Sequence, residues 1–473
     1  MAGRFAGVAI AVLCCLLAVQ VMAADIYVNS ERGANKKGEG TQASPYKNIE
    51  YAVEKADEGD SIHIAAGRYV GMARSGRIII TKSNLTFVGG YADDFGARDP
   101  FANITLLEWD DSPDNKTEKW PGAIFNATQT EDRKPLAGIV VDGLTIDGGS
   151  RNPYMTDPAD PSLEYPKAPS DPLMSILVDK DAVGVVRNCT FLNPGKVCCL
   201  RAASMPGGKY EVYNNIFVNS VYFHLDLVTR QNRKLERADF DVHHNTFAFS
   251  WRINDANGSA VYVNSYVNAA IHDNILAYGD MYAVKNQKYE KQMKNRIPVP
   301  GYVNEHVSMD RNLAYMFARG IYGYVRKGQS GLLSATRLDE LEDTSLASAE
   351  GNVVGDPGLV LNKAWMQMYL DREDAAVGEI TPDSLNSIRA ALGLPVQVEG
   401  AKAKYYAMRY PLADAMKLRA PGAEQAKGIG AGMTAIGEVE AQAQTEEDKA
   451  ARIQALQEQI KKLQAELEAL QGE

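Results

Sequence analysis

Cysteine is scarce in this chain. There are five cysteines in 473 residues, and two of them, Cys14 and Cys15, lie within the first 24. The other three, Cys189, Cys198 and Cys199, are an odd number, so the sequence contains no framework of paired disulfides and leaves one bridge at most. Small interior residues are the ordinary role of cysteines in such positions.

The chain also lacks an excess of positive charge and a second long apolar run. Its formal net charge is -10, which argues against nonspecific binding to nucleic acid. Its long apolar run covers residues 6–22, follows Arg4 and ends at the small residues Ala23 and Ala24, as in a cleaved secretory signal. We therefore expect no transmembrane segment and a secreted, periplasmic or cell-surface protein.

A short sequence motif recurs through the middle of the chain. Each copy has an apolar residue, a polar pair, an Asn or Cys and then an alternating apolar strand: VRNCTFLN (186–193), VYNNIFVN (212–219), VHHNTFAF (242–249), IHDNILAY (271–278) and MDRNLAYM (309–316). Repeats on this period are typical of solenoids, and the period-two alternation indicates strands. The predicted fold is all-β, a parallel β-helix.

One column of the repeat is asparagine. Its members are Asn215, Asn245, Asn274, Asn312 and Asn352, with Cys189 in the same column one repeat earlier. Asparagines at solenoid turns hydrogen-bond to the backbone and to their equivalents in the next coil. We expect these asparagines to form a structural ladder and to take no part in catalysis.

A second strand follows each copy of the motif. We aligned its copies as CCLR (198–201), FHLD (223–226), VYVN (261–264), YAVK (282–285) and IYGY (321–324), with the second and fourth positions facing outward. The predicted outward columns are then Cys199, His224, Tyr262, Ala283 and Tyr322, and Arg201, Asp226, Asn264, Lys285 and Tyr324. Chemistry is expected on that face.

The N-terminal part carries a resemblance to a known family. A strand at residues 26–28 leads through a Gly/Ser/Pro loop to an amphipathic helix with Ile49, Ala52 and Val53 on its apolar face, and then to a strand at 61–65. This arrangement resembles the entry of secreted proteins of the pectin-lyase-like superfamily of right-handed parallel β-helices. The resemblance implies an N-terminal capping helix and covers residues 25 to about 432.

The resemblance also implies a chemistry. Lyases of this superfamily remove the proton beside a uronate carboxylate with Lys or Arg, and by that likeness Lys285 would be the base and Arg201 the neutralising cation. Asp226 and His224 would orient the sugar or tune the base. Calcium enters only through this likeness, because the sequence lacks the acid cluster of calcium-dependent members. Hydrolysis is disfavoured, because the predicted outward columns hold one acid, Asp226, and no paired Asp motif lies on adjacent coils.

Basic residues flank the predicted columns and favour an anionic partner. The substrate-binding candidates are the sugar-contacting residues and the basic loop residues: Tyr262, Asn264, Tyr322, Tyr324, Arg230, Arg233, Lys234 and Lys288. Arg and Lys would pair with the acid groups of an anionic polysaccharide, and tyrosines would stack on its sugar rings. Two functions stay open: a polysaccharide lyase, or a noncatalytic surface or matrix protein that binds glycan or a partner protein.

The C-terminal residues predict an association helix. A heptad seam with alternating spacings of three and four is formed by Ile453, Leu456, Ile460, Leu463, Leu467 and Leu470. The seam is too short to be stable alone, so we expect homo-oligomerisation through residues 446–473. The predicted organisation is a signal peptide (1–24), the β-helix with its cap and closing segment (25–432), a linker (433–445) and a coiled-coil helix (446–473).

Overall fold

The structure is a computed structural model of the chain. It describes residues 23–71, 77–108, 123–149, 153–155, 171–194, 197–220, 222–230, 236–251, 258–264, 266–286, 306–324, 332–374, 405–407, 409–419 and 426–431. The predicted signal peptide, linker and coiled coil lie almost entirely outside these residues and stay predictions.

Within these ranges short parallel strands dominate. They are β1 (Asp25–Val28), β2 (Ser61–Ala65), β3 (Gly67–Tyr69), β4 (Ile78–Ile79), β5 (Leu85–Tyr91), β6 (Thr105–Glu108), β7 (Phe125–Ala127), β8 (Leu136–Asp142), β9 (Thr145–Asp147), β10 (Pro153–Met155), β11 (Met174–Arg187), β12 (Thr190–Leu192), β13 (Cys198–Ser204), β14 (Lys209–Tyr213), β15 (Ile216–Ser220), β16 (Phe223–Thr229), β17 (Ala238–His243), β18 (Thr246–Ser250), β19 (Ser259–Val263), β20 (Val267–His272), β21 (Ile275–Gly279), β22 (Tyr282–Asn286), β23 (Val307–Asp310), β24 (Leu313–Phe317), β25 (Gly320–Tyr324), β26 (Leu333–Ala335), β27 (Val353–Val354) and β28 (Tyr405–Ala407).

The strands stack in three parallel ladders. Ladder 1 contains β1, β2, β5, β8, the second half of β11, β14, β17, β20 and β23. Ladder 2 is the 9-stranded sheet from β3 to β27. Ladder 3 contains β4, β7, the first half of β11, β13, β16, β19, β22 and β25. The chain visits the three ladders in turn in each coil, so the fold is a parallel β-helix.

Period-two alternation explains why these segments form ladders. In β17 the residues Ala238, Phe240 and Val242 are buried between half-buried or exposed neighbours, and β14 and β20 repeat the pattern. Equivalent side chains then stack along the interior, as the rings of Phe191, Phe217 and Phe247 do at 4.9 and 4.7 Å. Each coil therefore buries its apolar residues against its neighbours.

The predicted asparagine ladder is confirmed. The side-chain oxygen of Asn245 accepts from the backbone N–H of Asn215, and the oxygen of Asn274 accepts from that of Asn245, at 3.0 and 2.9 Å. Bonds of the same kind join Cys189 to Asn215 and continue through Asn312 to Asn352. The ladder satisfies backbone groups that the turn between ladders 1 and 2 would otherwise bury unpaired.

The ladder imposes a special backbone on the residue before each asparagine. That residue has a positive φ of 52–54° in successive coils: Asn188, Asn214, His244, Asp273 and Arg311. Asparagine, aspartate and histidine adopt this left-handed conformation more often than most residues, whereas arginine adopts it less readily. His244 is therefore compatible with the backbone at its position.

The ends and flanks of the solenoid carry further elements. Helix α1 (Ile49–Lys55) is present where predicted and buries Ile49, Ala52 and Val53; its role as a cap stays a prediction. Helix α2 (Lys363–Asp374) and residue Tyr410 belong to a buried apolar cluster with the outer face of ladder 2. Among the described residues, no helix is long and apolar enough to cross a membrane.

Candidate functional site

Four outward-facing side chains line up across ladder 3. Arg201 lies opposite Asp226, Asp226 lies opposite Tyr262, and Tyr262 lies opposite Lys285. We call Arg201, Asp226, Tyr262 and Lys285 the outer row. Rungs of a parallel sheet are about 4.8 Å apart, so each of these side chains is an immediate neighbour of the next, while the backbones of Arg201 and Lys285 are about 14 Å apart.

An ion pair joins the first two members of the outer row. Nε of Arg201 donates to Oδ2 of Asp226 at 2.8 Å, and the side-chain amide of Asn264 donates to Oδ1 of Asp226 at 2.6 Å. Burial raises the pKa of Asp226, while Arg201 and Asn264 oppose that effect. Only 5% of Asp226 is exposed, so its carboxylate is committed to these contacts.

The alignment predicted from the sequence placed Asn264 in the outer row, and this was wrong by two positions. The structure pairs Ser259 with Phe223, so Tyr262 takes the position opposite Asp226. A shift of two residues keeps the same faces outward, because side chains alternate with period two. Asn264 therefore still reaches Asp226 from the end of β19.

Tyr262 and Lys285 form the other half of the outer row. The ring of Tyr262 stacks on Phe223 with centroids 4.3 Å apart, and Nζ of Lys285 lies 5.6 Å from the centre of the Tyr262 ring. Phe223 belongs to the preceding coil and Lys285 to the following one, so they approach opposite ring faces. Both faces of Tyr262 are thus occupied, which leaves none for the sugar stacking predicted from the sequence.

Lys285 is buried in this position. Its exposure is 2%, and burial lowers its pKa from 10.5 to about 8. Desolvation has this sign because the charged ammonium loses water while the neutral amine loses little. A substantial fraction of Lys285 is therefore neutral near pH 8, the protonation state a general base requires.

His224 does not face outward, so its predicted orientation was wrong. It is fully buried, with Phe217 and Phe247 ring centroids at 6.4 and 5.9 Å, and burial lowers its pKa to about 3. Its equivalents Cys199 and Ala283 lie in the core as well. Two consecutive residues point inward where the chain turns into each ladder 3 strand, which period-two alternation does not anticipate.

Tyr322 and Tyr324 were also predicted to face outward, and both face the core. The structure pairs Lys285 with Gly323, one residue away from the predicted alignment. A shift of one residue exchanges the two faces of a strand. The tyrosine rings stack on each other at 5.7 Å inside the core, and the Tyr322 hydroxyl accepts from the amide of Asn286 at 2.7 Å.

The basic residues are only partly within the described structure. Arg230 is exposed at the end of β16, and its charge helps to lower the pKa of Asp226. Arg233, Lys234 and Lys288 lie outside the described residues, so their predicted roles stay predictions. The three remaining cysteines, Cys189, Cys198 and Cys199, are free and buried.

Calcium does not fit the outer row. A calcium ion needs six to eight oxygen ligands, whereas the row offers the single carboxylate of Asp226, already bound to Arg201 and Asn264. Among the described residues, no group of three or more His, Cys, Asp or Glu side chains converges on one point.

The sequence reasoning missed a polar surface on ladder 1. Its outward residues line an open groove of about 460 Å³, and among them are Glu211, Asp239 and Asp241. Glu211 lies directly opposite Asp241 on the next coil, so a Glu–Asp pair on adjacent coils exists outside the predicted columns. The signal was available, since YEVY at 210–213 and FDVH at 240–243 align within the repeat.

Comparison with known proteins adds little to this description. No protein-family model matches the chain, and no curated protein sequence matches it. A pectate lyase, Pel9A, is similar in structure with a TM-score of 0.33 and 12% identity, over 71% of this chain and 78% of that one. XylC in complex with xylose has a TM-score of 0.28 and 11% identity, over 71% and 87%. The assignment of a parallel β-helix therefore rests on the strand pairing of this chain.

Proposed function

We propose that this protein binds an anionic polysaccharide of the uronate type along ladder 3 and cleaves it by β-elimination. The observation that carries the proposal is the outer row, in which a buried lysine with a lowered pKa lies on the same strand face as an arginine held by a carboxylate. A lyase needs a base and a nearby cation, and the outer row provides both.

In this mechanism the neutral amine of Lys285 takes the proton on the carbon beside the uronate carboxylate. The electron pair forms a carbon–carbon double bond, and the bond to the glycosidic oxygen at the neighbouring carbon breaks. That oxygen leaves with a proton from solvent or from the protonated Lys285. Arg201, whose side chain is 27% exposed, would pair with the substrate carboxylate and make the adjacent proton more acidic.

Asp226 and Asn264 act as positioning residues. The carboxylate of Asp226 holds Nε of Arg201, which leaves the terminal guanidinium nitrogens for a substrate. The exposed Arg230 adds positive charge beside the same strand, where a long anionic polymer would run.

A noncatalytic glycan-binding function is the second candidate. It is favoured by the burial of Lys285 and Asp226, at 2% and 5% exposure, which restricts access to the base. We also propose that the protein is exported and that residues 446–473 associate, which would add avidity in either case.

The test is ultraviolet absorbance of unsaturated product on a panel of polyuronates, together with binding to the same polymers. We expect activity in the wild type and its loss in Lys285→Met, which keeps an unbranched side chain over Tyr262 and removes the amine. Lys209→Met is the matched control, because Lys209 is exposed on ladder 1. Binding without absorbance change would establish the noncatalytic function, and no binding to any polyuronate would refute both.

A further inference from the structure

We propose that His243 and His244 form a two-imidazole site for a divalent cation of tetragonal preference, of which Cu²⁺ is the leading candidate. The two Nδ1 atoms lie 2.9 Å apart at the end of β17, on ladder 1 and away from the outer row. Adjacent residues of a regular strand point to opposite faces, so a strand alone would not bring these two rings together. His244 is not in a regular strand conformation.

The left-handed backbone of His244 brings the two rings together. Its φ is +52°, close to the 53–54° of Asn188, Asn214, Asp273 and Arg311 at the equivalent turns of four other coils. This turn swings the His244 ring onto the side of His243, with the ring planes at 89°. Histidine is among the residues that adopt this backbone more often than most, so the turn brings the two rings together without unusual strain.

The separation of the two nitrogens matches a right-angled coordination geometry. With metal–nitrogen bonds of about 2.05 Å, two nitrogens 2.9 Å apart subtend an angle of about 90° at a shared metal. A tetrahedral ion would require a separation of about 3.4 Å at the same bond length. Right-angled nitrogen ligands are typical of Cu²⁺ and Ni²⁺, and Cu²⁺ binds nitrogen sites more tightly.

Neighbouring residues hold the two imidazole rings in place. The His243 ring is stacked between Tyr213 at 4.9 Å and His272 at 5.1 Å, which fixes its orientation. Asp241 and Asp273 lie close enough to act on both histidines electrostatically and favour a cation there, while His272 acts against it at both histidines. Arg311 also acts against it at His244 but is itself bound to Asp273. Both histidines are half-buried, so an ion can enter from solvent.

Without metal, the 2.9 Å contact is an N–H···N hydrogen bond between the rings. Metal binding requires both Nδ1 atoms to be unprotonated, which moves one proton to the Nε2 atom of the donor ring and costs no net charge. Within the described residues no third His, Cys, Asp or Glu converges with this pair, so water would complete the coordination.

The chain itself supplies the matched variant. One coil earlier the equivalent pair is Tyr213 and Asn214, so His243→Tyr with His244→Asn reproduces an arrangement the fold already contains. The aromatic stack and the left-handed turn are both kept. Circular dichroism and the melting temperature establish that this double variant is folded.

The experiment uses tag-free, metal-depleted protein in a noncoordinating buffer at neutral pH. We expect one Cu²⁺ to bind, with an axial electron paramagnetic resonance spectrum and hyperfine splitting from two nitrogens. The double variant should lose affinity by more than about tenfold. Two other histidine variants serve as controls: His63→Gln and His306→Gln should each bind as the wild type does.

Several outcomes would overturn the proposal. They are equal Cu²⁺ affinity in the wild type and the double variant, a spectrum without nitrogen splitting, or a loss of affinity in His306→Gln that matches the double variant. The outcome of the polyuronate assays does not bear on this test, because the two sites lie on different ladders.

Discussion

Nε of Arg201 and Oδ2 of Asp226 lie 2.8 Å apart and join two adjacent coils on the outer face of ladder 3. The contact pairs the buried carboxylate of Asp226 and leaves part of the Arg201 side chain exposed. It makes the stability of the solenoid depend on a residue that we also place at the substrate.

Arg201→Ala should therefore lower the free energy of unfolding as well as any activity. Removing the cation leaves Asp226 buried with Asn264 as its remaining side-chain donor, at a cost of about 2–3 kcal/mol. Urea unfolding measures this directly. Arg230→Ala is the control, because an exposed arginine should change stability by less than about 0.5 kcal/mol. Equal effects of the two substitutions would show that the ion pair contributes nothing specific.

Lys285 should make the free energy of unfolding depend on pH in the alkaline range. Its pKa in the folded protein is about 8, below its ordinary value of 10.5, so between these pH values the unfolded chain binds more protons. The free energy of unfolding therefore rises as the pH increases from about 8 to about 10.5, and the lysine imposes a constant penalty below that window. The full change is up to about 3 kcal/mol.

The difference between wild type and Lys285→Met isolates this effect from other groups that titrate at high pH. Urea unfolding at several pH values from 7 to 10 supplies the measurement. Parallel curves for the two proteins would contradict a buried, perturbed lysine. Any lyase activity should also rise with pH through about 8, because it needs the neutral amine.

Asn245→Ala should be among the most destabilising single substitutions in the ladder. Its side chain accepts from Asn215 and donates to the carbonyl of Val212 in the interior, and it donates to the partly buried carbonyl of His243. Losing these bonds leaves buried backbone groups unpaired, and we expect a cost of about 3–4 kcal/mol. Thermal and urea unfolding provide the comparison.

Asn352→Ala is the matched substitution for that experiment. Asn352 makes the same kind of bonds at the last coil of the ladder but is half-buried, so water can replace part of what is lost. Its cost should be clearly smaller than that of Asn245→Ala. An equal or larger cost would mean that burial does not set the strength of the ladder.

His244 should tolerate asparagine and resist valine. The backbone φ of +52° is accessible to asparagine, whereas a β-branched residue is strained there. We expect His244→Asn to match the wild type in stability and His244→Val to lose about 1–3 kcal/mol. Similar melting temperatures for the two variants would indicate that the turn can relax.

The repeated sequence motif was enough to predict the solenoid and its asparagine ladder. Period-two apolar residues must stack on their equivalents, and an asparagine recurring at each turn can bond its neighbours above and below. These relationships depend on sequence spacing alone. Arg201, Asp226 and Lys285 were accordingly placed on one face correctly.

The register of the strands and the conformation of the turns between them could be known only from the tertiary structure. A one-residue difference in strand pairing turned Tyr322 and Tyr324 into the core, and the bend entering each ladder 3 strand did the same to His224. The meeting of His243 and His244 needed a left-handed residue that no alternation pattern contains. The sequence by itself determined which residues repeat, whereas the tertiary structure decided which way they face, because pairing and turn conformation depend on contacts between coils.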